Sequence, residues 1–167
     1  MPISEYLKSL REKVGHDLVV LPAVSVSIVD TDGRLLLGKD AEMGFWTLPG
    51  GAIDPKEYPA DAAVRECFEE TGLLVEIRGL IGVFGGPEFV VRYPNEDVGA
   101  YITIAFRADV TGESRGPGDG EMSELGYFSP AQCESMPLST PTKLIAKATF
   151  SSAKRPYFQP ASWKTDC

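Results

Sequence analysis

Three glutamates in one short stretch, Glu66, Glu69 and Glu70, are the side chains here with the clearest capacity for chemistry. On a helix turning roughly 100° per residue they stand at i, i+3 and i+4 and project from a sector about 100° wide. Like charges at that spacing oppose helix formation, so a cation seated between them relieves the repulsion. Magnesium suits the role, because it takes hard oxygen ligands and is commonly held by a few carboxylates together with the phosphates of a substrate. Manganese accepts similar donors and is a possible substitute. Taken alone, the three glutamates also read as an ordinary solvated acidic face. Val64, Cys67, Phe68 and Thr71 are expected on the opposite side of the helix, where they would meet a sheet.

The surroundings decide between those readings. Pro49-Gly50-Gly51 stands upstream, a glycine pair that lets a backbone carbonyl approach a ligand, and Glu57 precedes Arg65 by eight residues. From Gly51 the chain runs through five residues to Glu57, seven more to Arg65-Glu66, then Cys67, Phe68, Glu69-Glu70, Thr71, Gly72 and Leu73. This string resembles the signature of the Nudix hydrolases, G-x5-E-x7-R-E-U-x-E-E-x-G-U with U apolar, at every specified position. At ordinary residue frequencies such a match arises by chance on the order of 10⁻⁸ per window. Cys67 occupies an apolar position, and a free cysteine packs as a small hydrophobe. Beyond this string the looser resemblance spans Leu18 to Pro130.

The resemblance implies cleavage of a pyrophosphate in a small nucleotide by a metal-activated water. The substrate would be a nucleoside triphosphate or a nucleoside diphosphate linked to another group, such as ADP-ribose. By similarity, Glu66, Glu69 and Glu70 would hold the metal with the Gly50 carbonyl as a further ligand, and Arg65 and Glu57 would orient the cluster. Arg65 also reaches Glu69 at i+4, which offsets part of the crowding. The general base would be Glu66 or a glutamate of a later loop. That loop is Arg115 to Glu124, with Asp119, Glu121 and Glu124; Glu121 fits best and Glu124 is the runner-up. A loop of glycine and acids is equally what a solvent-exposed connection contains. A second reading is a nucleotide sensor that binds without cutting, against which the intact Arg65, Glu66, Glu69 and Glu70 stand.

Other features are weaker. Gly33 to Lys39 has a G-x4-G-K spacing, but Asp40 replaces the required Ser or Thr and the segment reads as strand, so it is no phosphate loop. His16 is the only histidine and cannot build a zinc site. Trp46, Phe84, Phe89 and Tyr93 offer π-faces to a base, although core packing or loop anchoring is the commoner role for any one of them. Trp46, Gly51, Phe89 and Tyr93 are the candidate substrate contacts. Gly15-His16-Asp17 and Tyr93-Pro94-Asn95-Glu96 resemble segments of uncharacterised bacterial Nudix proteins and name no substrate.

These residues require a scaffold. Proline at 59 suits a first helical turn and Gly72 a C-terminal cap, so the glutamates belong to a helix between those points. Leu18 onward alternates as a strand, Asp32-Gly33 supplies turn chemistry, and Leu35 to Leu37 returns, which predicts a hairpin. Further strands are expected over Leu73 to Phe84, Val98 to Val110 and Leu125 to Phe128. Helices are expected over Ser4 to Val14, Ala131 to Ser135 and Thr142 to Phe150. The order predicts an α/β fold, a Nudix-type α/β/α sandwich with a mixed β-sheet. One domain over 1–167 is expected, with a helical arm at 1–17, the core at 18–130, and helices and a tail at 131–167.

The chain of 167 residues has 43% apolar content, enough for one core. Its 24 acidic and 16 basic side chains give a net charge of -8, which repels nucleic acid. Cys67, Cys133 and Cys167 have no metal-ligand spacing and suit a reducing compartment, so a cytoplasmic location is expected. No stretch approaches the ~20 apolar residues of a membrane span. The partner implied is a small nucleotide, and Lys154-Arg155 and Trp163 suit a sheet-edge cover, a tail or contact within a homodimer.

Overall fold

The computed structural model describes residues 4–113, 120–153 and 155–163. Its elements are α1 (Glu5–Val14), β1 (Val19–Ile28), β2 (Leu35–Asp40), β3 (Trp46–Thr47), α2 (Pro59–Thr71), β4 (Leu73–Phe84), β5 (Val90–Arg92), β6 (Val98–Glu113), β7 (Met122–Phe128), α3 (Pro130–Ser135) and α4 (Thr140–Thr149). The α/β/α sandwich is present, built on two sheets. In the mixed sheet β6 is central, parallel to β1 and antiparallel to β4 and β5. The other sheet is antiparallel, in the order β3-β2-β7.

The expected hairpin between β1 and β2 does not form. The turn itself is real: Gly33 donates to the Asp30 carbonyl at 3.0 Å and Asp30 to the Arg34 carbonyl at 2.9 Å. After the single bridge Val29 to Leu35, however, the strands part into different sheets. The edge of β1 that a hairpin needs is taken by the segment 49–53. Val26 N–H donates to the Pro49 carbonyl at 2.8 Å, Val24 N–H to the Gly51 carbonyl at 2.9 Å, and Ile53 N–H to the Pro22 carbonyl at 3.1 Å.

Each helix closes by a local device. Ser4 caps α1 through its side-chain oxygen, Pro59 opens α2, and Gly72 ends α2 in the left-handed region at φ 72°. Ser129 and Gln132 cap α3 reciprocally. One core cluster lies under α2 and includes Val24, Val26, Ile28, Ala62, Ala63 and Cys67. The other gathers Leu35, Leu37, Leu48, Phe84, Phe89 and Ile145 beneath α3 and α4. Cys67 and Cys133 are buried and free. Tyr157 bridges to Gly82 on the β4 edge, so the tail covers that edge. Among the described residues no helix is long and apolar enough to cross a membrane.

Candidate active site

The site is built where the 49–53 segment, laid along β1, passes over α2. Pro49 and Gly51 turn their carbonyls to β1, so the backbone of Gly50 faces the other way, and its N–H donates to Glu70 Oε2 at 2.8 Å. The two glycines serve different needs. Gly50 has φ 150°, and a Cβ there would lie 2.2 Å from the Val24 carbonyl oxygen. A Cβ on Gly51 would lie 2.6 Å from the Glu66 carboxylate. Glycine at 51 therefore lets the chain rest directly on an acid.

That acid is the surprise of α2. Glu66 is fully buried and Glu70 nearly so, whereas Phe68 is 40% exposed. The helix does not divide into an apolar face and a carboxylate face as its sequence suggests: Glu66 and Glu70 sit on the buried side with Ala62, Ala63 and Cys67, and Phe68 looks outward. What makes this tolerable is Arg65, whose guanidinium has five N–H donors. Nε and Nη2 grip the two oxygens of Glu57 at 2.8 and 2.9 Å. Nη1 reaches Glu66 Oε1 at 2.8 Å and Glu69 Oε2 at 3.1 Å, and Nη2 also meets the Ala52 carbonyl at 3.2 Å. Five donors thus meet five oxygens.

The protonation pattern follows. The Arg65 hydrogen bonds hold Glu57 below the usual carboxylate range despite its partial burial. Burial drives Glu66 up to about 7, against the opposing pull of Arg65. Its second oxygen, Oε2, is buried and has no hydrogen-bond partner. A carboxylate oxygen in that condition needs a proton or a cation. Among the described residues no three acidic, imidazole or thiol groups yet converge to enclose an ion, since Glu69 leans on Arg65 and Glu70 on the Gly50 N–H. The donor set, all hard oxygens, with one buried oxygen left open, fits a divalent cation.

Beside this cluster opens a cleft of about 830 Å³, large enough for a nucleotide. Arg65, Glu70, Gly50, Gly51, Phe89, Tyr93 and Glu121 border it, with Glu66 directly behind Gly51. Glu121 also accepts the Ala41 N–H on its carbonyl at 2.9 Å. Glu124 is elsewhere, on an exposed part of β7, paired with Lys39 at 2.7 Å. Asp119 lies outside the described residues. Lys39 therefore works as a strand residue, as the rejection of a phosphate loop requires.

Two of the aromatic candidates have their rings packed against other aromatics. Trp46 alternates away from the cleft that its neighbours Phe45 and Thr47 line, and packs edge-on against Phe128 with ring centres 4.7 Å apart. Phe89 borders the cleft but is 1% exposed and stacks on Phe84, so its ring offers no open face to a base. Tyr93 stays in place, its hydroxyl 2.6 Å from that of Tyr101. Tyr101, Phe45, Met43 and Arg92 also line the cleft and were missed. Alternation along β3 could have found Phe45, since it must face opposite to Trp46; nothing local marks the others.

The family model for the NUDIX domain matches residues 20–148. The chain belongs to the Nudix family. Within it, this Nudix hydrolase is 36% identical over 122 residues to a Methanocaldococcus jannaschii protein named ADP-ribose pyrophosphatase, covering 71% of this chain and 68% of that one. It is 46% identical over 66 residues to a MutT-like protein of Streptomyces ambofaciens, a match spanning 38% of this chain and 43% of the other. Among solved structures, a MutT Nudix hydrolase from Burkholderia pseudomallei superposes with a TM-score of 0.62 at 27% identity, covering 78% of this chain and 98% of that one. A UDP-X diphosphatase superposes with a TM-score of 0.64 at 20% identity, covering 86% and 68% respectively, which concerns the fold alone. The α2 carboxylates of this Nudix hydrolase sit in a family whose members generally use divalent metal ions.

Proposed function

We propose that this Nudix hydrolase is a magnesium-dependent pyrophosphohydrolase of a small nucleotide, with manganese as a substitute metal. The observation that carries the reading is Glu66 Oε2, a buried oxygen without a partner beside a nucleotide-sized cleft. Glu66, Glu69, Glu70 and the Gly50 carbonyl would hold the metal, which polarises a phosphoryl oxygen and lowers the pKa of a bound water. Arg65 and Glu57 orient that set through the five hydrogen bonds described. Glu121 lies within the cleft and is the residue we assign to proton removal, with Glu66 as the alternative. The substrate is a nucleoside diphosphate linked to another group, of which ADP-ribose is the first to try, as the Methanocaldococcus relative's name suggests; nucleoside triphosphates come next.

The test is a panel of ADP-ribose, nucleotide sugars and nucleoside triphosphates incubated with magnesium and read by product mass. Release of a nucleoside monophosphate from at least one of them is expected. Tight binding of several with cleavage of none would replace the hydrolase with a sensor.

A further inference from the structure

Two sequence segments outside the carboxylate cluster, Gly15-His16-Asp17 and the Tyr93-Pro94-Asn95-Glu96 turn, meet in space. His16 Nδ1 lies 2.8 Å from Asp97 Oδ1, at the end of that turn. Arg11 on α1 stands 3.6 Å from Asp97 Oδ2 and donates to the Val98 carbonyl at 2.9 Å. It also donates to the carbonyls of Gly15 at 3.2 Å and Asp17 at 2.7 Å. Asn95 braces the same carboxylate at 3.0 Å. The turn is closed by Tyr93 N–H on the Asp97 carbonyl at 2.9 Å, with Glu96 at φ 71°.

This cluster has a mechanical consequence. None of the ten residues of α1 is buried, and a helix of that length is marginal by itself in water. Tyr6 is exposed, and Leu7, Leu10 and Val14 are only half-buried and belong to neither core cluster, so the polar contacts of Arg11 add a tie that the core does not supply. Ser4, Leu7 and Arg11, spaced as one helical stripe, instead border the active-site cleft together with Arg92, Tyr93 and Tyr101. We propose that Arg11, Asp97 and His16 form a latch that fixes α1 as one wall of the cleft, so that Leu7 and Tyr93 together grip the uncharged part of the substrate. The inference rests on the nucleotide reading above. Leu7 supplies apolar surface, and the paired Tyr93 and Tyr101 hydroxyls supply hydrogen bonds. Asp40 and Glu42, on the same cleft, offer acceptor oxygens to a sugar or base that donates hydrogen bonds. Arg11 is a positioning residue: its donors are directed to backbone carbonyls and to Asp97 rather than to a ligand.

The test combines amide exchange with ADP-ribose kinetics in magnesium. Arg11→Ala should strip exchange protection from residues 5–14 while the rest of the fold keeps it. The same variant should raise KM about tenfold with kcat changed by less than about threefold, the pattern of lost uniform binding. Leu7→Ala should raise KM with α1 still protected, and carries the test should Arg11→Ala unfold. Protection unchanged in Arg11→Ala, or protection lost with KM unchanged, overturns the latch alone. A wild-type protein that neither binds nor cleaves ADP-ribose overturns the grip together with the substrate assignment.

Discussion

Removing the proton from Glu66 should cost this fold a substantial part of its stability when no metal is present. The carboxyl is fully buried, its Oε2 has no partner, and burial raises it from an ordinary 4.5 to about 7. In the unfolded chain the same group ionises near 4.5, so between those values the folded protein holds a proton that the unfolded one has released. Stability from this group is complete below about pH 4.5 and lost as pH rises through about 7. Moving a carboxyl that far corresponds to about 3 kcal/mol, a large fraction of the 5–15 kcal/mol typical of a domain. Glu57, held low by Arg65, acts in the opposite sense and only below pH 4.5, so the two windows do not overlap.

The assay is urea unfolding in chelator from about pH 4.5 to about pH 8, with Glu66→Gln alongside to subtract the general self-repulsion of a chain of net charge -8. Wild type should lose about 3 kcal/mol relative to Glu66→Gln across that range. Magnesium at about a hundred times its dissociation constant should return about 2.7 kcal/mol to the wild type at the alkaline end. Parallel curves for the two proteins would refute the buried-carboxyl reasoning. A wild-type curve that magnesium leaves unmoved would remove Glu66 from the metal site.

Three further outcomes follow from the same geometry. Glu70→Gln keeps the shape that accepts the Gly50 N–H but removes a charge, so turnover of the best panel substrate should fall by about two orders of magnitude or more while the melting temperature holds; a wild-type rate would remove Glu70 from the machinery. Glu121→Gln should impair kcat well beyond Glu124→Gln, because Glu121 borders the cleft and Glu124 is paired with Lys39 on an exposed strand; the reverse order in steady-state assays would move the role. Gly51→Ala places a methyl 2.6 Å from the Glu66 carboxylate and should weaken magnesium binding about tenfold or more by calorimetry, whereas Gly79→Ala, whose Cβ meets nothing, should leave it unchanged.

How far the sequence could be read depended on whether the deciding interaction was local. The bounds of α2 follow from Pro59 and Gly72, and β4 from its own apolar run, because caps and strand propensity act over a few residues. The burial of Glu66 was not legible. Apolar periodicity puts Phe68 inside and Glu66 outside, and what reverses them is distant: Gly51 presses a backbone onto the carboxylate, and Arg65 shares its charge among three acids. The side walls of the cleft escaped for the same reason. Leu7 and Tyr101 carry no marker in their own segments: Tyr101 borders the cleft from β6, and Leu7 borders it from α1, which Arg11 ties to Asp97.

The hairpin that failed to form explains why the site exists at all. Asp32-Gly33 correctly announced a turn, and Val29 does bridge Leu35 across it. Had β2 continued along β1, the backbone donors of Val24 and Val26 would have been used within one sheet. Instead they take the carbonyls of Gly51 and Pro49, which pins the glycine pair at a fixed height above α2 and turns the Gly50 backbone toward Glu70. Strand pairing is chosen by which backbone partner best fills an edge, and here the glycines fill it because no side chain separates them from Val24 on one side or Glu66 on the other. The local turn and the glycine pair thus compete for one strand edge, and the outcome sets the Gly50 backbone against the Glu70 carboxylate.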